Sequence, residues 1–253
     1  MTLTGRCAVV TGGGQGIGAA VARALAGAGA AVVVTARSIE RLEAVAAEIR
    51  GAGGTAWPVP CDVTEPESVR DMAESARRQL GGNPDILVNN AGVAHSAPLH
   101  RITLEDWNRV LAVNATGTFL VTQALLPAML ERRRGAIVNV ASVAGLAGAR
   151  YIAAYAAAKH AVIGFTRSIA AEVAGTGVTC NAVCPGYVDT EMTRESVARV
   201  VAKTGKTPVE ALQAMLAASA QRRLITPEEV AQVVVDLCAQ DTRNGEAIPI
   251  HGV

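Results

Sequence analysis

The sequence predicts an α/β fold with one parallel, doubly wound sheet, on three observations. Short β-branched runs alternate with longer amphipathic segments, a glycine run from Thr11 to Gly18 follows the first short run, and neither half of the 253 residues reads as a separate unit. That rhythm belongs to βα units rather than to a sandwich, and right-handed crossovers lay such strands side by side with helices on both faces. A βα barrel is the structural rival, and the glycine-rich turn argues against it.

The elements follow in order. A strand at 7–11 leads through the glycines into a helix at 17–28. A second strand at 31–36 precedes a helix at 39–51, and a third at 55–60 precedes one at 66–79. The fourth strand, 86–89, is followed by a long helix at 103–131. A fifth at 136–141 and a helix at 152–174 lead to the sixth strand, 178–183. The last helix, 227–239, and a seventh strand at 247–250 complete a seven-stranded sheet. Between 187 and 223 the chain departs from this rhythm, with helical patterning at 195–203 and 209–220. Ligands of open α/β sheets lie beyond the carboxyl ends of the strands, and this insert leaves from such an end, so it is read as a substrate lid. A surface excursion or a subunit contact is the alternative.

Composition narrows the function. Half the residues are apolar and the net charge is +1, which gives no electrostatic reason for a nucleic-acid or membrane partner. The apolar runs are broken by glycine or charge before about 18 residues, so no membrane span is expected. The N-terminus has no signal-peptide pattern. Cys7, Cys61, Cys180, Cys184 and Cys238 form an odd set without metal-ligand spacing, which fits reduced thiols in a cytoplasmic protein. The four histidines make no i, i+4 pair, and no catalytic metal is expected.

Chemistry concentrates in two places. In Thr11-Gly12-Gly13-Gly14-Gln15-Gly16-Ile17-Gly18 the glycines permit a tight turn and close approach to a pyrophosphate, whose charge suits the N-terminus of the following helix. Tyr155 and Lys159 are four apart on one predicted helix, thirteen residues after Ser142. The ammonium would lie beside the phenol and favour its phenolate, which a tyrosine with a free pKa near ~10 needs in order to act as an acid. Ser142 lacks the G-x-S-x-G elbow of a serine hydrolase.

These landmarks, with Cys61-Asp62-Val63, Asn89-Asn90-Ala91-Gly92, Asn114 and Pro185-Gly186 in order, resemble the short-chain dehydrogenases/reductases. The likeness is to their compact single-domain branch, which includes the 3-oxoacyl-thioester and polyketide ketoreductases. It implies one Rossmann-like domain over 1–253 and a nicotinamide cofactor held by Gly12, Gly14, Gln15, Gly16, Ile17 and Gly18. It also implies that Asp62 and Val63 meet the adenine, although Asp62 in Asp-Val-Thr-Glu-Pro also reads as a helix cap. Asn90, Ala91 and Gly92 let the backbone pass the cofactor, and Pro185, Gly186, Val188 and Thr190 lie against the nicotinamide. Where NAD-selective relatives carry an acid, this chain has Ala36 followed by Arg37, so NADP(H) is expected as the preferred cofactor. Gln15 replaces a second basic residue of many NADP-preferring relatives, which keeps NAD(H) as an alternative.

The resemblance makes Tyr155 the proton donor, Ser142 the hydroxyl bonded to the carbonyl oxygen, and Lys159 the cation that also holds the ribose. Asn114 would hold a water that links Lys159 to solvent. It implies a homotetramer and a small ketone or secondary-alcohol substrate, with a 3-oxoacyl thioester first. NAD-linked oxidation of a hydroxyacyl-CoA, 3-hydroxybutyrate or an aryl alcohol is the alternative, and a nucleotide-binding sensor or scaffold is the non-enzymatic one.

Overall fold

The seven predicted strands are present in a computed structural model of the protein, which describes residues 2–240 and 242–252. They are β1 (Cys7–Thr11), β2 (Ala31–Ala36), β3 (Thr55–Pro60), β4 (Ile86–Asn89), β5 (Gly135–Val140), β6 (Val178–Pro185) and β7 (Ala247–Ile250). All pairings are parallel, in the order β3-β2-β1-β4-β5-β6-β7. The chain winds outward from β1 to β3, then returns to the other side of β1 with β4. Connections leaving β1 and β4 diverge to opposite faces, and a crevice opens beyond their carboxyl ends.

The helices are α1 (Gly16–Gly27), α2 (Ile39–Gly51), α3 (Pro66–Leu80), α4 (Leu104–Leu111), α5 (Gly117–Glu131), α6 (Ala153–Glu172), α7 (Glu191–Thr204), α8 (Pro208–Ala218) and α9 (Pro227–Ala239). Successive strand residues point to opposite faces and feed two cores. Val10, Val32, Val34 and Val138 pack with Leu25 of α1, Leu42 of α2 and Val234 of α9. Val9, Val33, Leu87 and Ile137 pack on the other face with Met72 of α3, Leu125 and Met129 of α5, and Val173 after α6. Each fully buried aliphatic side chain contributes roughly 1.5–3 kcal/mol, so these central strands need no amphipathic alternation to be stable.

At the amino ends of β1 and β4, buried Asp85 accepts from Arg6 Nε at 3.0 Å, the Cys7 amide at 3.0 Å and Arg132 at 3.1 Å. This ion-pair cluster closes the sheet at the end opposite the crevice.

The structure corrects three expectations. The helix expected at 103–131 is divided: α4 ends at Leu111, a π-helical turn spans Ala112–Thr116, and α5 begins at Gly117. Within the turn Asn114 Nδ2 donates to the carbonyls of Val110 at 2.8 Å and Val93 at 2.9 Å. An added residue in a turn re-aims a side chain, and such turns recur at functional sites. Secondly, the segment 104–131 runs on through the π-helical turn and is long and apolar enough to cross a membrane by length and composition alone, where a break by glycine or charge was expected. Val121, Leu125 and Met129 of this segment are nevertheless buried against the sheet. Thirdly, β6 continues to Pro185 rather than stopping at 183, because β7 supplies Ile250 as the partner of Pro185.

The insert's two helices are longer at their start than the sequence pattern indicated, and a Thr207–Glu210 capping box begins α8. Its two ends are joined at the neck. Val188 bridges Ile225 in parallel, and buried Gln221 accepts from the Tyr187 amide at 2.7 Å while donating to the Tyr187 and Arg223 carbonyls.

Candidate active site

The glycine turn is held by close backbone contact. Gly12 has φ +63, and a β-carbon there would lie 2.8 Å from Asn90 Nδ2. At Gly18 a β-carbon would lie 2.2 Å from the Gly12 carbonyl oxygen, so α1 approaches the turn more closely than any side chain permits. Asn90 Nδ2 donates to the carbonyls of Thr11 and Gly12 at 2.9 and 3.2 Å. In return, Thr11 Oγ1 accepts from the amides of Asn90 and Ala91. Asn90 thus supports the turn with its side chain, and Thr11, absent from the sequence-based site, completes the brace. Its signal in the sequence was a hydroxyl ending an otherwise apolar strand.

Beyond the turn lies a cleft of about 910 Å³. Gly12, Gly14, Gln15, Gly16 and Ile17 form its floor, and Asn90, Ala91 and Gly92 border it from β4. The first turn of α1 holds no acidic side chain, and Gln15 at its N-cap makes no side-chain capping bond. Its leading amides therefore suit an anion such as a pyrophosphate.

At the far end, Ala36, Arg37, Asp62 and Val63 line the cleft. Asp62 Oδ1 accepts from the Thr64 amide at 3.0 Å and the Thr64 hydroxyl at 2.8 Å. Helix α3 starts later, with Glu65 at its N-cap, so Asp62 caps a turn and not the helix. Partial burial opposes its ionisation, but the Thr64 bonds and the Arg37 guanidinium outweigh this and hold its pKa below the usual carboxylate value. Ser38, Arg41, Arg109 and Met192 also line the cleft and were not singled out in the sequence. Arg41 reaches across to Glu191 of α7 at 3.0 Å, linking α2 to the insert.

The four candidate catalytic residues converge at the carboxyl ends of β4 and β5. Lys159, 4% exposed, donates through Nζ to the Val140 carbonyl at 2.8 Å and lies 5.7 Å from the centre of the Tyr155 ring. Ser142 Oγ donates to the Pro185 carbonyl at 3.3 Å and accepts from the Ala144 amide at 3.1 Å. Asn114 is buried with Oδ1 unpaired, and this oxygen lies 2.8 Å from where a β-carbon on Gly92 would be. Lys159 Nζ lies 3.8 Å from the same point, so Gly92 leaves a polar gap between the two.

The electrostatics differ from the sequence expectation. Burial pushes the Tyr155 hydroxyl up to about 12, with the Ser142 hydroxyl pulling the other way and Tyr187 adding to the rise. Burial also drives Lys159 down to about 8. In the protein alone, therefore, desolvation rather than the neighbouring ammonium sets the direction of both shifts, and that ammonium is directed at a carbonyl.

Gly18, Pro185, Gly186 and Val188, also expected to meet the cofactor, do not line the cleft. Val188 is buried at the neck, and a β-carbon on Gly186 would collide with Gln221 at 2.3 Å. Pro185 contributes its carbonyl to Ser142, and Thr190 lines the cleft itself. Among the described residues no group of three or more His, Cys, Asp or Glu side chains could hold a metal ion.

Comparison with known proteins agrees with this architecture. The family model described as short chain dehydrogenase matches residues 6–200. A 3-oxoacyl-[acyl-carrier-protein] reductase of Aquifex aeolicus is 40% identical over 253 residues, covering 99% of this chain and 97% of its own. A D-beta-hydroxybutyrate dehydrogenase of Rhizobium meliloti is 36% identical, covering 93% of this chain and 92% of its own. The crystal structure of an actinorhodin polyketide ketoreductase variant with NADPH superposes with a TM-score of 0.93 at 36% identity, covering 98% and 96% of the two chains. Matching in sequence over most of its length and in the order of all seven strands, the chain belongs to the short-chain dehydrogenase family, whose members are nicotinamide-dependent oxidoreductases acting on CH–OH and C=O groups.

Proposed function

We propose that the protein reduces a ketone with NADPH, and that a 3-oxoacyl thioester or polyketide-like ketone is its substrate class. The observation that carries the reading is the grouping of Tyr155, Lys159 and Ser142 beside the glycine-floored cleft, with Asn114 Oδ1 unpaired behind them. The relatives named as 3-oxoacyl reductase and polyketide ketoreductase support the substrate class. The residues fit a nicotinamide dinucleotide, because the floor is bare backbone next to a helix N-terminus and the polar groups gather at one end.

A bound nicotinamide supplies the hydride. As negative charge grows on the carbonyl oxygen, Ser142 donates a hydrogen bond to it and Tyr155 transfers its proton. A hydroxyl pushed up to about 12 remains protonated at neutral pH, and an alkoxide is a much stronger base than a phenolate, so the transfer is favourable. Lys159 holds the ribose hydroxyls and stabilises the phenolate that forms, while Asn114 orders a water in the polar gap at Gly92 to return a proton.

NADP(H) is the preferred cofactor in this reading. Arg37 lines the far end of the cleft next to Ala36, where no carboxylate repels a 2′-phosphate. The insert acts as a lid over a single domain, and its neck pairing and the Arg41–Glu191 contact support this. The protein assembles as a homotetramer through α5 and α6, where Phe119 is exposed with its ring 6.4 Å from that of Phe165. Five unpaired cysteines support a cytoplasmic setting.

Carbonyl-dependent loss of NADPH absorbance across thioesters, free keto acids and aryl ketones tests the activity. No turnover with any of them would overturn it. The second reading, oxidation of a short hydroxy acid, draws on the hydroxybutyrate dehydrogenase relative and is tested with the same panel run in reverse with NAD.

A further inference from the structure

Gln221 lies three residues past the end of α8 and is 5% exposed, and its amide uses its full hydrogen-bonding capacity. Oε1 accepts from the Tyr187 amide at 2.7 Å and from the Ser219 hydroxyl at 3.2 Å. Nε2 donates to the carbonyls of Tyr187 at 3.2 Å and Arg223 at 3.3 Å. Because Oε1 and Nε2 both bond to the backbone of Tyr187, the side chain stands in for a peptide unit paired with the strand end. The backbone ladder resumes beyond it, where Ile225 donates to the Tyr187 carbonyl at 3.0 Å and accepts from the Asp189 amide at 2.9 Å.

Two features hold the amide in that place. Ala220 has φ +53, a left-handed conformation that residues other than glycine rarely adopt, and the Gln221 backbone amide closes the end of α8 by donating to the Leu216 carbonyl at 2.9 Å. This turn brings the Gln221 side chain inward. On the other side the chain end closes over 221–223: the Arg222 amide donates to the Gly252 carbonyl at 2.8 Å, and a β-carbon on Gly252 would lie 2.2 Å from the Arg223 carbonyl oxygen. A buried amide with all its bonds made specifies one geometry.

The segment that it fixes meets the candidate catalytic groups on both sides of Gly186. A β-carbon on Gly186 would lie 2.3 Å from Gln221 Oε1, so the amide packs directly on this backbone. One residue earlier, the Pro185 carbonyl accepts from the Ser142 hydroxyl at 3.3 Å. One residue later, the Tyr187 phenol is near enough to Tyr155 for its charge to add to the raised pKa. Gln221 itself does not line the cleft.

We propose that Gln221 is a positioning residue for the reduction, holding the Pro185 carbonyl and Tyr187 where the Ser142 hydroxyl and Tyr155 meet the substrate carbonyl. It acts through the backbone of 185–187 and touches neither substrate nor cofactor. Displacing such a support by about 1 Å is enough to slow catalysis on the order of a hundredfold. The inference rests on the reductase reading and deepens it.

The test compares kcat per NADPH-binding site with the NADPH Kd, using a ketone that the wild type turns over. Gln221→Met fills about the same space without the hydrogen bonds, and should lower kcat by roughly tenfold or more while the Kd stays within about threefold. Gln221→Asn keeps an amide one methylene too short to hold both Tyr187 and Arg223, and should give the same split if the methionine variant does not fold. Gly186→Ala, whose methyl group meets Gln221, should lower kcat as much, yet by no more than about threefold further in a Gln221→Ala background. Three results overturn the positioning role and leave the reductase reading standing: an unchanged kcat with only a lowered Tm, equal losses of kcat and NADPH affinity, or the same Gly186→Ala effect in both backgrounds. A wild type that turns over no ketone overturns both.

Discussion

Lys159 Nζ donates to the Val140 carbonyl at 2.8 Å, so the ammonium next to the candidate proton donor is anchored to the end of β5. The bond fixes where the positive charge lies, and burial sets how long it survives as pH rises. With its pKa driven down to about 8, Lys159 is charged below that pH and neutral above it. Tyr155, raised to about 12, stays protonated throughout. The reduction kcat/KM, which reports ionisations of the free enzyme, should therefore fall as pH rises through about 8. Lys159→Arg should move that fall beyond pH 10, since arginine does not deprotonate in this range. A wild-type profile flat to pH 10 would remove Lys159's charge from the mechanism.

Tyr155→Phe keeps the ring and deletes only the hydroxyl. Turnover should be abolished while NADPH affinity, measured by fluorescence titration, stays nearly unchanged. Activity above a few per cent of wild type would reassign the proton donor.

Arg37 should decide the cofactor. Its pairing with a 2′-phosphate is a charge-assisted contact of about 1.5–3 kcal/mol, so Arg37→Ala should weaken NADPH by roughly tenfold or more and leave NADH little changed. Ala36→Asp should go further and favour NADH, through hydrogen bonds to the ribose and repulsion of a phosphate. Steady-state kinetics with both cofactors checks this, and a wild type that prefers NADH tenfold would reduce Arg37 to a surface charge.

Gly18→Ala places a methyl group 2.2 Å from the Gly12 carbonyl oxygen. The turn must shift, and since it forms the cleft floor, NADPH affinity should fall by at least tenfold, on the order of 1.4 kcal/mol. Equilibrium binding measures it. Unchanged affinity would show that the turn does not carry the pyrophosphate.

Asp85→Ala should act on stability alone. It leaves Arg6 and Arg132 without their shared carboxylate at the end of the sheet remote from the cleft, at a cost on the order of 3 kcal/mol. Denaturant unfolding reads the loss. A change in KM for a ketone in the folded variant would contradict the separation of the two ends.

The sequence by itself determined the sheet and the floor of the cleft. Strand residues such as Val32-Val33-Val34 are apolar on both faces, which only a strand covered on both sides requires, and Gly18 is required by the backbone of Gly12, six residues earlier in the same run. Tyr155 and Lys159 were legible for the same reason, because helical spacing alone puts them together. What depended on tertiary structure was every property set by contacts distant in sequence. Asn114 in the π-helical turn bonds to Val93, twenty-one residues earlier, and no local pattern encodes that contact. Thr11 braces Asn90 across the reversal between β1 and β4, and Arg41 meets Glu191 across the cleft. The tyrosine and lysine pKa values moved opposite to the simple pairing argument because desolvation depends on what the whole fold packs around a group, and residue spacing carries no measure of that.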